Sequence, residues 1–229
     1  MSRFDPIADE RGTTLVELMV GLATGLLVLT TLTMVIVVTL HGSARVSARV
    51  DATQRARVAM TRLMEELHSA CVSPKIAPIR EESTGTKLSF IHAKQGEGAQ
   101  VAPNPTLSVV SLSGGVLSQT DYTAAGTAPN WTFSSPVTRT LLTGVSPIAP
   151  SSSLFTYFQY LNGALSETPL ATPLNANAAV TVDVRVGLTA SPTSTPVRDK
   201  GATSSIQDSA VLRLTPPSFN EAAVSLPCQ

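Results

Sequence analysis

One carboxylate stands out by its position. Glu17 sits in Gly12-Thr13-Thr14-Leu15-Val16-Glu17-Leu18-Met19-Val20, and no residue from Leu18 to Leu40 carries a formal charge. A carboxylate at the edge of a membrane-length apolar helix is costly, so it has a partner or a function. Its chemistry is ionic: it pairs with an amino group, or it is an interfacial glutamate reaching headgroup water. The other groups with reactive potential are sparse. His41, His68 and His92 share no metal-ligand spacing, and H-E-x-x-H, P-loop and G-x-S-x-G patterns are absent. Gly96-x-Gly98 is a fragment of a dinucleotide fingerprint placed in a loop. Asp121, Glu167 and Asp183 are scattered acids, expected to be solvated. Two cysteines, Cys71 and Cys228, exclude a disulfide-rich miniprotein and a four-cysteine zinc site. No acid, base and nucleophile set emerges, so no enzyme, cofactor or metal site is expected.

The elements that must position Glu17 follow from composition. The chain has 229 residues, 16 basic against 16 acidic, and 14% charged. That is well below the roughly 25% of a soluble domain, and zero net charge offers nucleic acid no global field. The uncharged run from Leu18 to Leu40 would span roughly 34 Å as a helix, enough for a bilayer core. It is too long for the roughly 7–15-residue apolar core of a secretory signal. Beyond it the pattern becomes amphipathic. Val46, Val50, Thr53, Ala56, Met60, Leu63, Leu67 and Ala70 follow three- and four-residue steps and form one stripe. Arg45, Arg49, Asp51, Arg55, Arg57, Arg62, Glu65 and Glu66 lie between them as a solvated face. The Arg run has no interleaved aromatics, so no nucleic-acid partner is expected. Gly21-x-x-x-Gly25 is a weak helix-contact signal, and Gly42 marks a junction. The helix should stop near Cys71, because Pro74 and Pro78 cannot continue it.

From Thr84 onward the texture is β-branched. Candidate strands are Lys87–His92, Thr106–Leu112, Val116–Thr120, Val137–Leu142, Leu154–Tyr160, Ala179–Leu188 and Ala210–Leu214. Ser113-Gly114-Gly115 and Asn162-Gly163 are turn signals between them. Glu97–Asn104, Leu165–Asn177 and Thr189–Ser205 read as loops, and Asn130-Trp131-Thr132 as a strand entry with a packed tryptophan. The fold class is α+β: a long N-terminal helix, membrane-spanning in its first half, packed against a C-terminal antiparallel β-sheet domain.

Gly12 followed by Thr14-Leu15-Val16-Glu17-Leu18 and the apolar run resembles the prepilin-type cleavage and methylation motif of type IV pilins and type II secretion pseudopilins. The chain departs from the family at Thr13, which stands where phenylalanine is usual. Its leader also carries Asp5, Asp9 and Glu10 beside Arg3 and Arg11. The resemblance implies a leader over 1–12, a transmembrane and assembly helix over 13–41, an amphipathic continuation over 42–72 and a β-rich head over 73–229. It implies cleavage between Gly12 and Thr13 by a prepilin peptidase and N-methylation at Thr13. Glu17 then serves assembly, pairing with the freed Thr13 amine of a neighbouring subunit.

Leu141-Leu142-Thr143-Gly144-Val145, Phe155-x-Tyr157-Phe158, Asn162-Gly163, Val182-x-Val184-Arg185-Val186 and Val211-x-Arg213-Leu214 follow in an order similar to pseudopilin J and PilW-like minor pilins. The implied partners are other pilins and minor pilins, assembly-platform proteins and membrane lipid. The implied location is the inner (cytoplasmic) membrane, single-pass, with a cytoplasmic N-terminus and an exported head, then a filament or the cell surface. Charge alone points the other way. Arg45, Arg49, Arg55 and Arg57 after the span outnumber Arg3 and Arg11 before it. The processing site must face the cytosolic peptidase, and that decides the orientation. In an oxidising compartment Cys71 and Cys228 either bond or remain separate thiols. A bond closing about 150 residues would restrict the unfolded chain by roughly 5 kcal/mol in the entropic account. The rival reading is a singly anchored surface β-domain that binds a ligand without polymerising.

Overall fold

The computed structural model describes residues 14–71, 77–93, 105–127, 130–192 and 203–212. It begins with one helix, α1 (Leu15–His68), of 54 residues. Thr14 caps its start: the Glu17 N–H donates to Thr14 Oγ1 at 3.3 Å, the S/T-x-x-E spacing of a capping box. No proline interrupts it, and it runs unbroken through Gly42. Thr24, Thr30, Thr33 and Thr39 donate their hydroxyls to carbonyls four residues earlier, and Thr31 three residues earlier, so hydroxyls in the apolar run are satisfied within the helix. At the other end Ser69 Oγ donates to the Glu66 carbonyl at 2.7 Å. The helix therefore stops at His68, three residues before the cysteine.

The chain divides into two compact units, residues 1–46 and 47–229. In the first, every described residue is exposed, apolar side chains included. Such continuous apolar surface is far beyond what a soluble monomer shows, and the helix is long and apolar enough to cross a membrane. In the second unit α1 buries Ala52, Ala56, Ala59, Met60, Leu63, Met64 and Leu67. The buried stripe begins at Ala52. Val46 and Val50, expected on it, are exposed, while Ala59 and Met64 widen it.

The second unit also holds two main sheets. The first is an antiparallel meander, β1 (Lys87–His92), β2 (Thr106–Ser113), β3 (Val116–Thr127) and β4 (Asn130–Thr143), in that spatial order. Ser113 pairs with Val116 across Gly114 and Gly115, both at positive φ, as a two-residue hairpin requires. In the second sheet β9 (Asp183–Ala190) pairs with β10 (Ser204–Val211), β5 (Val145–Pro147) and β6 (Phe155–Phe158). A small hairpin, β7 (Tyr160–Leu161) and β8 (Ala164–Leu165), turns on Asn162-Gly163, and a 3-10 helix covers Asn175–Val180. One core joins the helix to both sheets through Leu63, Leu67, Phe90, Leu117, Tyr157 and Val184. The expected α+β architecture is what forms.

Several boundaries differ from the sequence expectation. β3 and β4 are longer, because Tyr122 and Ala124 on one strand and Trp131 and Phe133 on the other turn inward while Thr123, Thr132 and Ser134 face out, and the two outer halves pair with each other. Residues 154–160 split between β6 and β7. β9 starts at Asp183, since 179–180 belong to the 3-10 helix. β10 begins at Ser204 and so takes the end of an expected loop. The loop over 97–104 lies outside the described residues.

Candidate functional site

Glu17 lies in the first turn of α1 with its side chain exposed. Its backbone N–H is held by the Thr14 cap, while its carboxylate projects from the start of the exposed apolar run. Gly12 and Thr13 lie outside the described residues, as does Cys228. Cys71 is fully buried beside Ile91 and Ala93, and its N–H donates to the Ile91 carbonyl at 2.9 Å. There is no free cysteine among the described residues.

A second feature was not expected from the sequence: a polar and ionic cluster that fastens the end of α1 to the first sheet. Glu66, read as part of a solvated face, is only 7% exposed. Its Oε1 accepts from Arg139 Nη2 at 2.9 Å and from Arg62 Nε at 3.3 Å. Its Oε2 accepts from Gln119 Nε2. Arg139 Nη1 reaches Asp121 Oδ2 at 2.9 Å. Asp121 Oδ1 accepts from Ser108 Oγ at 2.6 Å and from Gln119 Nε2 at 2.8 Å. Ser108 Oγ also meets His92 Nε2 at 2.9 Å, and His92 Nδ1 lies 3.4 Å from Ser69 Oγ. The cluster thus takes side chains from α1 and from each of β1 to β4.

The expectation that Asp121 and Asp183 are solvated is wrong. Asp121 is committed to Arg139, and Asp183 is buried with Oδ2 3.1 Å from Arg185 Nε. Arg185 in turn lies over the Phe158 ring at 4.1 Å from its centroid, a cation–π arrangement. Glu167 is exposed as expected.

A faint signal for the cluster was present. Glu66 falls three residues after Leu63 and seven after Ala59, squarely on the buried stripe. Ser108 and Gln119 sit two residues from the buried Val110 and Leu117 in their strands. Polar residues at inward positions of two elements ask for one another.

Chemically the cluster is inward-looking. Its carboxylates and guanidiniums are matched to each other, and the groups it leaves without a partner, Gln119 Oε1 and Arg139 Nε, are buried rather than presented to a ligand. It fixes the helix on the sheet. The groups able to meet another molecule are elsewhere, on the exposed run of α1 and at Glu17. No group of three or more His, Cys, Asp or Glu that could hold a metal occurs among the described residues.

No protein-family model matches the sequence, and no curated protein matches it. Among solved structures, the chain is similar to one in the crystal structure of the GspK-GspI-GspJ complex from the enterotoxigenic Escherichia coli type 2 secretion system. The identity is 12%, the match covers 72% of this chain and 97% of that one, and the TM-score is 0.40.

Proposed function

We propose that the chain is a minor pilin or pseudopilin: a membrane-inserted structural subunit that is trimmed after Gly12 and co-assembles with other pilin-like subunits in a type IV pilus or type II secretion pseudopilus. One observation carries the reading. The first half of α1 is wholly exposed and apolar, and it bears a carboxylate in its opening turn. Such a helix is satisfied only by lipid or by other helices. A charge placed there is tolerated when it has a counter-charge. Cleavage supplies one, the Thr13 ammonium of a neighbouring subunit. At 4 Å the attraction is about 1 kcal/mol in water and about 4 kcal/mol at an effective dielectric of 20. The pairing would set the axial register of otherwise featureless apolar helices.

In this reading the protein enters the inner membrane with its N-terminus cytoplasmic and its head exported. A prepilin peptidase removes residues 1–12, Thr13 is the methylation site, and a Cys71–Cys228 bond ties the end of the chain to the end of the helix. The test has two arms. N-terminal sequencing of the membrane-purified protein should give Thr13; an intact Met1 overturns the reading. Glu17→Ala should leave membrane insertion unchanged and cut the filaments sheared from cells at least ten-fold. Unchanged filament yield leaves only a singly anchored head.

A further inference from the structure

Of the titratable side chains in the buried cluster, His92 is the one whose residue type ordinarily changes charge near neutrality, at about 6.5. It is buried at the end of β1. Ala70 bridges to it, and the Ala93 N–H donates to the Ser69 carbonyl at 3.2 Å. The ring therefore lies where the chain leaves α1 and meets the first sheet. Its two nitrogens face two serine hydroxyls: Nε2 is 2.9 Å from Ser108 Oγ, and Nδ1 is 3.4 Å from Ser69 Oγ.

Each hydroxyl has one proton, and each proton is directed elsewhere. Ser108 Oγ donates to Asp121 Oδ1 at 2.6 Å, and Ser69 Oγ donates to the Glu66 carbonyl at 2.7 Å. Carboxylate and carbonyl oxygens only accept. Toward His92, then, both serine oxygens are left as acceptors. A neutral imidazole has one N–H and would turn a lone pair on one of them, whereas an imidazolium donates to both. Charge points the same way. The charged groups of the cluster are Glu66 and Arg62 from α1, Asp121 from β3 and Arg139 from β4. β2 has no charged residue, and β1 has only Lys87, at its opposite end. Arg139 is shared by both carboxylates and Arg62 is nearly half exposed, so the two carboxylates divide one inner cation between them. Burial opposes a charge on the ring, while a carboxylate one hydroxyl away and two accepting oxygens favour it.

We propose that His92 is held as an imidazolium at neutral pH and fastens the end of α1 to the first sheet in a proton-dependent way. Loss of the Nδ1 proton breaks the link to Ser69 and leaves the Nε2 bond to Ser108 in place. The folded ring holds its proton more tightly than the unfolded one. The fastening is thus complete below about pH 6.5 and is lost as pH rises through the folded value. The inference does not rest on trimming after Gly12 or on the assembly role of Glu17, because every group involved belongs to the unit formed by residues 47–229.

The test is NMR of the full chain in detergent micelles, with the histidine ring nitrogens labelled with 15N. His41→Gln and His68→Gln, both at exposed positions, assign the His92 signals by elimination. At pH 7 an ordinary histidine is neutral by about three to one. His92 should instead be doubly protonated by at least that ratio. Ser69→Ala removes the Nδ1 acceptor and should lower the ratio of charged to neutral ring at least two-fold, an effect that loss of packing alone would not produce. The urea midpoint of the wild type should fall between pH 7 and pH 9, and the fall should be absent in His92→Gln. The proposal fails if the His92 ring is neutral at pH 7, if Ser69→Ala leaves its protonation unchanged, or if the midpoints of the wild type and His92→Gln run parallel with pH. Should His92→Gln not fold, the ring nitrogens of the wild type decide.

Discussion

Glu66→Ala tests whether the buried cluster holds the head to its helix. The carboxylate accepts from Gln119, Arg139 and Arg62. Its removal leaves Arg139 with Asp121 alone and Gln119 with Ser108 and Asp121. Removing one partner of a buried ion pair costs about 3–5 kcal/mol, because the other charge stays desolvated. Arg62 is nearly half exposed and contributes little. Arg139 is 32% exposed, so water replaces part of what it loses. These discounts place the cost at the lower end, about 3 kcal/mol. With a urea slope of about 2 kcal/mol/M, the midpoint should fall by about 1.5 M. Trp131 is the sole tryptophan and lies half-buried in the first sheet, so its fluorescence follows unfolding of the full chain in micelles. Arg139→Ala should cost a similar amount, since it strips both Glu66 and Asp121 of a cation. The double variant should fall short of the sum by about 1.5 kcal/mol, the signature of two groups sharing one interaction. A midpoint shift below about 0.3 M for Glu66→Ala, or strict additivity in the cycle, would refute the clamp.

Tyr157 is deeply buried and donates to the Thr84 carbonyl at 2.9 Å and the Lys87 carbonyl at 3.2 Å. Burial pushes its phenol well above the ordinary value of about 10. Its contribution is therefore complete below pH 10. Above that the unfolded chain loses the proton first and stability falls by about 1.4 kcal/mol per pH unit until the folded phenol titrates. Tyr157→Phe should cost about 1 kcal/mol at pH 7 and abolish this alkaline slope, so urea midpoints of the two proteins should converge near pH 11; parallel curves would sink the account. Non-reducing peptide mapping of exported material should recover Cys71 and Cys228 in one linked fragment, and reduction should lower stability by up to roughly 5 kcal/mol. Finding both thiols free would remove the bond.

How much of this was legible in the sequence depended on the range of the interaction. The helix was legible because its signals are local: an uncharged run, a three- and four-residue stripe and prolines beyond its end. β1 was legible to the residue, and the Gly114-Gly115 and Asn162-Gly163 turns were legible because positive φ is a local demand. The outer halves of β3 and β4 were not. There only the strand entry at Trp131 was marked: Tyr122-Thr123-Ala124 and Trp131-Thr132-Phe133-Ser134 alternate, but Gly126, Ser135 and Pro136 break the pattern, and the two halves hold as strand by pairing with each other.

The buried cluster shows the same limit more sharply. Glu66 meets Gln119 across 53 residues and Arg139 across 73, and nothing near Glu66 in the chain announces either partner. On a helix with arginines on several sides, a glutamate reads by default as solvated. What separates Glu66 from its neighbour Glu65 is phase alone. Glu66 continues the steps of Ala59 and Leu63 and is buried, while Glu65 does not and is exposed. A charge in phase with a buried stripe is costly unless it is matched, so its presence there implies a distant cation. Arg139, two residues before Leu141 on a strand that otherwise lacks basic residues, is the one β4 side chain able to supply it. The inference from phase to partner is thus available in principle. It requires that polar residues at inward positions be treated as a set to be paired, rather than dismissed one at a time as surface.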